Sequence, residues 1–309
     1  MLKGLMSTAF LAAGARSENV RIFNAASMHH GFTFLRRARL LGRLVTLINE
    51  IDDVVDNMSA AERLKLGAAK YGNTACDFLK NDRLNPEPYF ETIERLDDSG
   101  VITRNESVSF SNIYAVLLAR SAEVEARLVD GNDFEGREQL TELNMQIVKT
   151  LGAHILQHVM PSKLIKEKAD DSSLSEDDAL EPFPEAMRFG YLIEMCDDLE
   201  DFLVDIRREA STGILTPNWI ATNLAQGGVL YDSDASVSRD IRLALEKHAS
   251  SERRVSLCSL PRDVQQAIRS GQDRFLDLAE DLPNMQAGLI KNWWSTLLTN
   301  GIKSPAIEA

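Results

Sequence analysis

Apolar residues recur at three- and four-residue intervals through most of this chain. The runs FTFLRRARLLGRLVTLINEIDDVVDN (residues 32–57), SVSFSNIYAVLLARSAEVEARL (107–128), LTELNMQIVKTLGAHILQHVM (140–160) and FGYLIEMCDDLEDFLVDIRRE (189–209) all carry that period. It places apolar side chains on one face of an α-helix. There is no sustained period-two alternation, and no Asn-Gly or Asp-Gly turn joins apolar runs into a hairpin. The nine prolines fall mostly between the periodic segments, where helices stop or start. Ser259-Leu-Pro-Arg-Asp reads as a helix start with a capping serine and an acidic first turn. Residues 166–186, KEKADDSSLSEDDALEPFPEA, break the period and read as a surface loop within one domain. The expectation is a single all-α domain over residues 1–309, with roughly ten to twelve helices of ordinary length.

Two of the helical runs are peculiar. INEIDDVVDN packs Asp52, Asp53 and Asp56 among isoleucines and valines, and EMCDDLEDFLVD does the same with Asp197, Asp198, Asp201 and Asp205. At 100° per residue, each set shares one sector of its helix. Asn49 lies beside the first set, and Leu47, Ile51 and Val54 point away from it. Leu199, Phe202 and Leu203 back the second. An acidic helix face is ordinarily solvated. It then normally interleaves Lys or Arg one turn away to relieve repulsion, and neither cluster does so within its own turn. Chance would produce two DDxxD sequences in roughly one chain per hundred of this composition. DDALE at Asp177 has similar letters without apolar backing, and serves as a decoy.

Clustered carboxylates without a local cation call for an external one. Oxygen-only donors, with no His or Cys ligand set, suit a hard cation, Mg²⁺ rather than zinc. Mg²⁺ commonly bridges carboxylates to a substrate phosphate, where it neutralises charge on a departing pyrophosphate. A diphosphate also needs cationic and polar contacts from the protein. Arg207 and Arg208 follow the second cluster closely and, with Lys149 and Asn49, are the candidates. Surface salt bridges are the alternative role for the three cations.

The paired motifs resemble those of the class I isoprenoid synthases, an all-α family with an aspartate-rich motif on each of two opposing helices. The neighbourhood LVTLINEIDDVVDN and the segment MQIVKTLGAHILQHVMP look most like the squalene/phytoene synthase branch. CDDLED then matches its second motif, with Asp197 and Asp201 at the ligand positions. The resemblance spans residues 32–219. It implies a helical bundle around a central apolar cavity, and Mg²⁺ held by Asp52, Asp53, Asp56, Asp197, Asp198, Asp201 and Asp205. The substrate it implies is an allylic C10–C20 prenyl diphosphate, which loses pyrophosphate before a C–C bond forms. No side chain then acts as a nucleophile. Ile193 and Cys196 stand where that branch has asparagine and arginine, and Asn49 and Glu50 where it has basic residues. DDLEDFLVD also resembles the second motif of terpene cyclases, and STGILTPNWIATNL a segment of chain-elongating prenyl diphosphate synthases. Head-to-head condensation, cyclisation and elongation therefore all remain open. So does a non-catalytic helical protein whose acidic faces are solvated or bind Ca²⁺.

Bulk properties narrow the field further. Lys+Arg 34 against Asp+Glu 47 leaves a net charge of −13, unsuited to gripping nucleic acid. Three scattered cysteines, with no CxxC, argue against a disulfide framework or a thiolate zinc site. His154 and His158 have helical ligand spacing, but no third ligand accompanies them, so they read as core or cavity-wall residues. No apolar run approaches the ~18 residues of a membrane span. The opening MLKGLMSTAFLAAGARS has some features of a weak signal peptide but reads better as an amphipathic helix. The expectation is a cytoplasmic protein, for which a homodimer is allowed. NWWSTLL, near the C-terminus, reads as a core or interface helix.

Overall fold

The structure, a computed structural model, describes residues 42–48, 87–102, 134–147, 153–156, 184–232, 237–249 and 254–305, with a few further positions between 58 and 122. Among these residues helices dominate, as the apolar period requires. They include α1 (Glu87–Asp98), α2 (Phe134–Ile147), α3 (Ala153–Leu156), α4 (Pro184–Thr212), α5 (Trp219–Gln226), α6 (Arg239–His248), α7 (Arg262–Glu280) and α8 (Asn284–Asn300). No helix among them is long and apolar enough to cross a membrane.

Helix α4 runs through the core. Its 29 residues extend about 43 Å at 1.5 Å per residue. Phe189, Leu192, Cys196, Leu199, Phe202 and Ile206, spaced three or four apart, are all completely buried. Burying each large apolar side chain in such a stripe contributes about 1.5–3 kcal/mol. Helices α3, α5, α7 and α8 pack around it. Pro184 is its first residue, where a missing N–H leaves nothing unpaired. Pro184, Glu185 and Ala186, expected in the loop, therefore form the opening turn of the helix. Gly213 ends it, with φ 69° and its N–H on Glu209 O at 2.8 Å, a left-handed cap that suits glycine.

The C-terminal helices close over α4 through aromatic contacts. Trp294 of α8 stacks on Phe275 of α7, with centroids 4.2 Å apart, and on Trp219 of α5 at 6.4 Å. Such pairs are worth about 0.5–1.5 kcal/mol beyond their buried area. Both tryptophans of NWWSTLL are buried, so α8 is a core helix. Gly271 of α7 lies directly under the Trp219 ring, where a Cβ would come within 2.5 Å of ring carbons.

Two features depart from the periodic reading. A small antiparallel ladder joins β1 (Arg254–Val255) to β2 (Ile302–Lys303), with Arg254 opposite Lys303 and Val255 opposite Ile302. Two residues per strand are too few to show alternation. The chain reaches β2 directly from α8 through Gly301, at φ 86°, where a Cβ would lie 2.2 Å from Val255 O. The second departure is Ser259, which does not cap α7. Its hydroxyl donates back to Ser256 O at 2.7 Å, and α7 starts at Arg262 behind Pro261 with no side-chain cap. Asp263 does supply the acidic first turn.

Candidate functional site

The second aspartate cluster lies in the middle of α4, and its four carboxylates take different partners. Asp198 is buried, at 7% exposure, and points at the start of α5. Its Oδ2 accepts the backbone N–H of Trp219 at 2.9 Å. Asn218 caps the same helix, accepting from the Ile220 and Ala221 N–H groups at 3.0 and 3.3 Å. The Asn218 side-chain amide in turn donates to Asp198 O at 2.8 Å and to Asp205 Oδ2 at 2.9 Å. Asp205 Oδ1 also accepts from Arg208, at 3.2 Å. Asp198 and Asp205 therefore fix the N-terminus of α5 against α4, and satisfy backbone donors that a helix start leaves orphaned.

Asp201 shares their sector of the helix but takes its partner from the C-terminal segment. Lys303, on β2, places its ammonium 2.5 Å from Asp201 Oδ1. Asp197 is half-buried, one turn earlier on α4. Glu200, between them, is buried and bonds Arg254 of β1 at 2.6 Å and the Trp293 indole N–H at 3.3 Å. The sequence suggests no cation within the cluster's own turn, but Arg208 pairs with Asp205 three residues before it, and Lys303 and Arg254 bring further cations from far along the chain. The arginines after the cluster are also engaged. Arg207 donates to the Pro305 carbonyl, and Arg208 pairs with Asp205.

Burial controls the electrostatics of α4. It pushes the Asp198 carboxyl well above the ordinary carboxylate range; the charge of Glu194 adds to this, and the Trp219 N–H only partly offsets it. Burial likewise raises the Cys196 thiol, helped by Asp197 and Glu200, so this cysteine is no thiolate ligand. At Lys303 burial opposes the charge, but the attraction and hydrogen bond of Asp201 outweigh it and hold the ammonium above the usual lysine range.

Asp52, Asp53, Asp56, Asn49, Lys149, His158 and Asp177 lie outside the described residues, as does the side chain of His154. Among the described residues no three His, Cys, Asp or Glu side chains converge into a metal-binding group. Asp197 and Asp201 are oxygen donors one turn apart, the donor chemistry a hard cation takes, with Cys196 turned into the core and Asp201 paired to Lys303. The structure also reveals polar residues that the sequence pattern did not single out. Arg137 of α2 is fully buried and pairs with Glu209, which also accepts the Thr216 N–H at 3.2 Å. Tyr231 OH bonds the same guanidinium. This cluster anchors the 213–218 connection and with it Asn218. The Pro217-Asn218 pair before an apolar run was a legible helix-start signal. Arg137 carried none.

No family model, curated protein or solved structure matches the chain.

Proposed function

We propose that this protein is a Mg²⁺-dependent class I isoprenoid synthase, acting on an allylic prenyl diphosphate of C10–C20 length. The observation that carries the reading is the pair Asp197 and Asp201, one turn apart beside the core on a helix whose sequence, DDLED, repeats the DDxxD of residues 52–56. Mg²⁺ on these carboxylates would supply the positive charge that lets pyrophosphate leave. Asp52, Asp53 and Asp56 complete the donor set in this reading. Asp198 and Asp205 hold α4 and α5 in register, and so keep Asp197 and Asp201 in place. Lys149, Asn49, Arg207 and Arg208 are the candidate diphosphate contacts. The allylic C–O bond breaks with its electron pair leaving on pyrophosphate. The allyl cation then forms a C–C bond with the π electrons of a double bond in a second prenyl diphosphate, in the manner of squalene/phytoene synthases. The cation so formed loses a proton, for which the released pyrophosphate is an acceptor. Cyclisation within one substrate and chain elongation use the same ionisation.

A second reading has an observation of its own. Asp198, Asp201 and Asp205 each have partners within the chain, which supports a non-catalytic helical protein, the reading in which the acidic faces are solvated or bind Ca²⁺. Pyrophosphate release from C10, C15 and C20 diphosphates, with and without Mg²⁺, separates the two. Mg²⁺-dependent release from any of them is the expected result. Release from none overturns the synthase.

A further inference from the structure

The C-terminal segment lies along the acidic motif and is held there at several points. Gly301 O accepts from Arg254 at 2.8 Å, and Pro305 O accepts from Arg207. Ser304 Oγ donates to His248 O at 2.7 Å. Ile302 is fully buried beside α4, with its backbone paired to Val255. This anchoring fixes the register of β2, and the register puts Lys303 Nζ 2.5 Å from Asp201 Oδ1, with Asp197 and Glu200 as the next charges. Lysine side chains ordinarily lose rotamer freedom in such a pairing and gain little from it at a surface. Here the exposed lysine side chain lies against a helix that offers Asp197, Glu200 and Asp201 within five residues.

We propose that Lys303 is a built-in counter-cation of the second aspartate motif and competes with divalent metal for Asp201. The inference rests on the reading of Asp197 and Asp201 as metal ligands, and adds a control on that site. A lysine ammonium is a compact point charge on a flexible stem, so it can leave Asp201 by rotating about its own side-chain bonds while β2 stays paired. In the metal-free protein it removes repulsion among Asp197, Glu200 and Asp201. Once a divalent cation takes Asp201, the released ammonium stays tethered at the rim of the motif. The cost of its displacement is subtracted from metal affinity, and the motif stays closed to metal until the ion, or the ion with its anion, outweighs one lysine.

Calorimetry on the full chain tests this, with Mg²⁺ alone and with Mg²⁺ plus inorganic pyrophosphate as probes. Lys303→Met should bind Mg²⁺ about fivefold more tightly than the parent, the factor expected from removing a half-exposed ion pair. Lys303→Arg, which keeps the charge, should bind like the parent. The melting temperature without metal should fall in Lys303→Met and not in Lys303→Arg, which also reports that both variants fold. Equal Mg²⁺ affinity in the parent and Lys303→Met, or weaker binding by Lys303→Met, overturns the competition and leaves the synthase standing. Absence of Mg²⁺ binding in the parent and both variants, with and without pyrophosphate, overturns both.

Discussion

Asp198 and Trp219 are joined by a hydrogen bond of 2.9 Å from the backbone N–H of one to the carboxylate of the other. The Trp219 indole N–H reaches back to Met195 O at 3.0 Å, one turn earlier on α4. A residue that looks like a metal ligand in sequence is thus part of the clamp between two core helices. This relationship makes the acidity of α4 measurable.

Asp198 gives a pH dependence of known sign. Its folded-state carboxyl is raised above the ordinary value of 3.8, chiefly by burial. The folded protein therefore holds a proton that the unfolded chain releases. This contribution is fully present below the unfolded value and is lost as pH rises through the folded one. Subtracting the unfolding free energy of Asp198→Asn from that of the parent should give a difference that falls with rising pH across this window. Asp198→Asn should be at least as stable as the parent at neutral pH. Asp198→Ala leaves the Trp219 N–H unsatisfied and should cost about 1–2 kcal/mol by denaturant titration.

Gly271 tests the closeness of α7 to α5. A Cβ there would sit 2.5 Å from the Trp219 ring. Gly271→Ala should lower stability by about 1–3 kcal/mol, the usual cost of overpacking, despite alanine's better helix propensity. A thermal melt equal to or above the parent's would mean that the ring can move aside.

The Arg137–Glu209 pair should behave as a unit. Removing one partner strands a charge in the core and should cost about 3–5 kcal/mol. Arg137→Met together with Glu209→Gln should cost clearly less than the two single changes added. Urea unfolding of the four proteins, read as a double-mutant cycle, measures the coupling.

The two DDxxD sequences and their decoy separate metal binding from surface charge. Mg²⁺ with pyrophosphate should raise stability by about 2.7 kcal/mol at a hundredfold excess over Kd. Asp52→Asn and Asp197→Asn should each abolish that shift together with pyrophosphate release. Asp177→Asn should change neither. If Asp52→Asn and Asp177→Asn both keep the full thermal shift, the synthase reading fails.

Local chemistry made several elements legible in advance. The period of Phe189, Leu192, Cys196, Leu199 and Phe202 is a property of consecutive residues, so α4 and its buried face could be read directly. The same holds for the buried tryptophans of α8 and for Leu47, which packs on the core from the described stretch at 42–48. Angular position on a helix also follows from spacing, which brought Asp197, Asp198, Asp201 and Asp205 together as one sector. What lies opposite that sector does not follow from spacing. Asp198 meets Trp219, Asp205 meets Asn218, and Asp201 meets Lys303 from the far end of the chain. Arg137 finds Glu209 across 72 residues, and the β1–β2 ladder pairs segments too short to carry any alternation. Periodicity records which face of an element turns inward, because that depends on near neighbours in the chain. The identity of the counter-charge depends on how helices pack, and packing joins residues whose separation leaves no local trace. Only the tertiary structure therefore decides which aspartates are already answered by the protein itself.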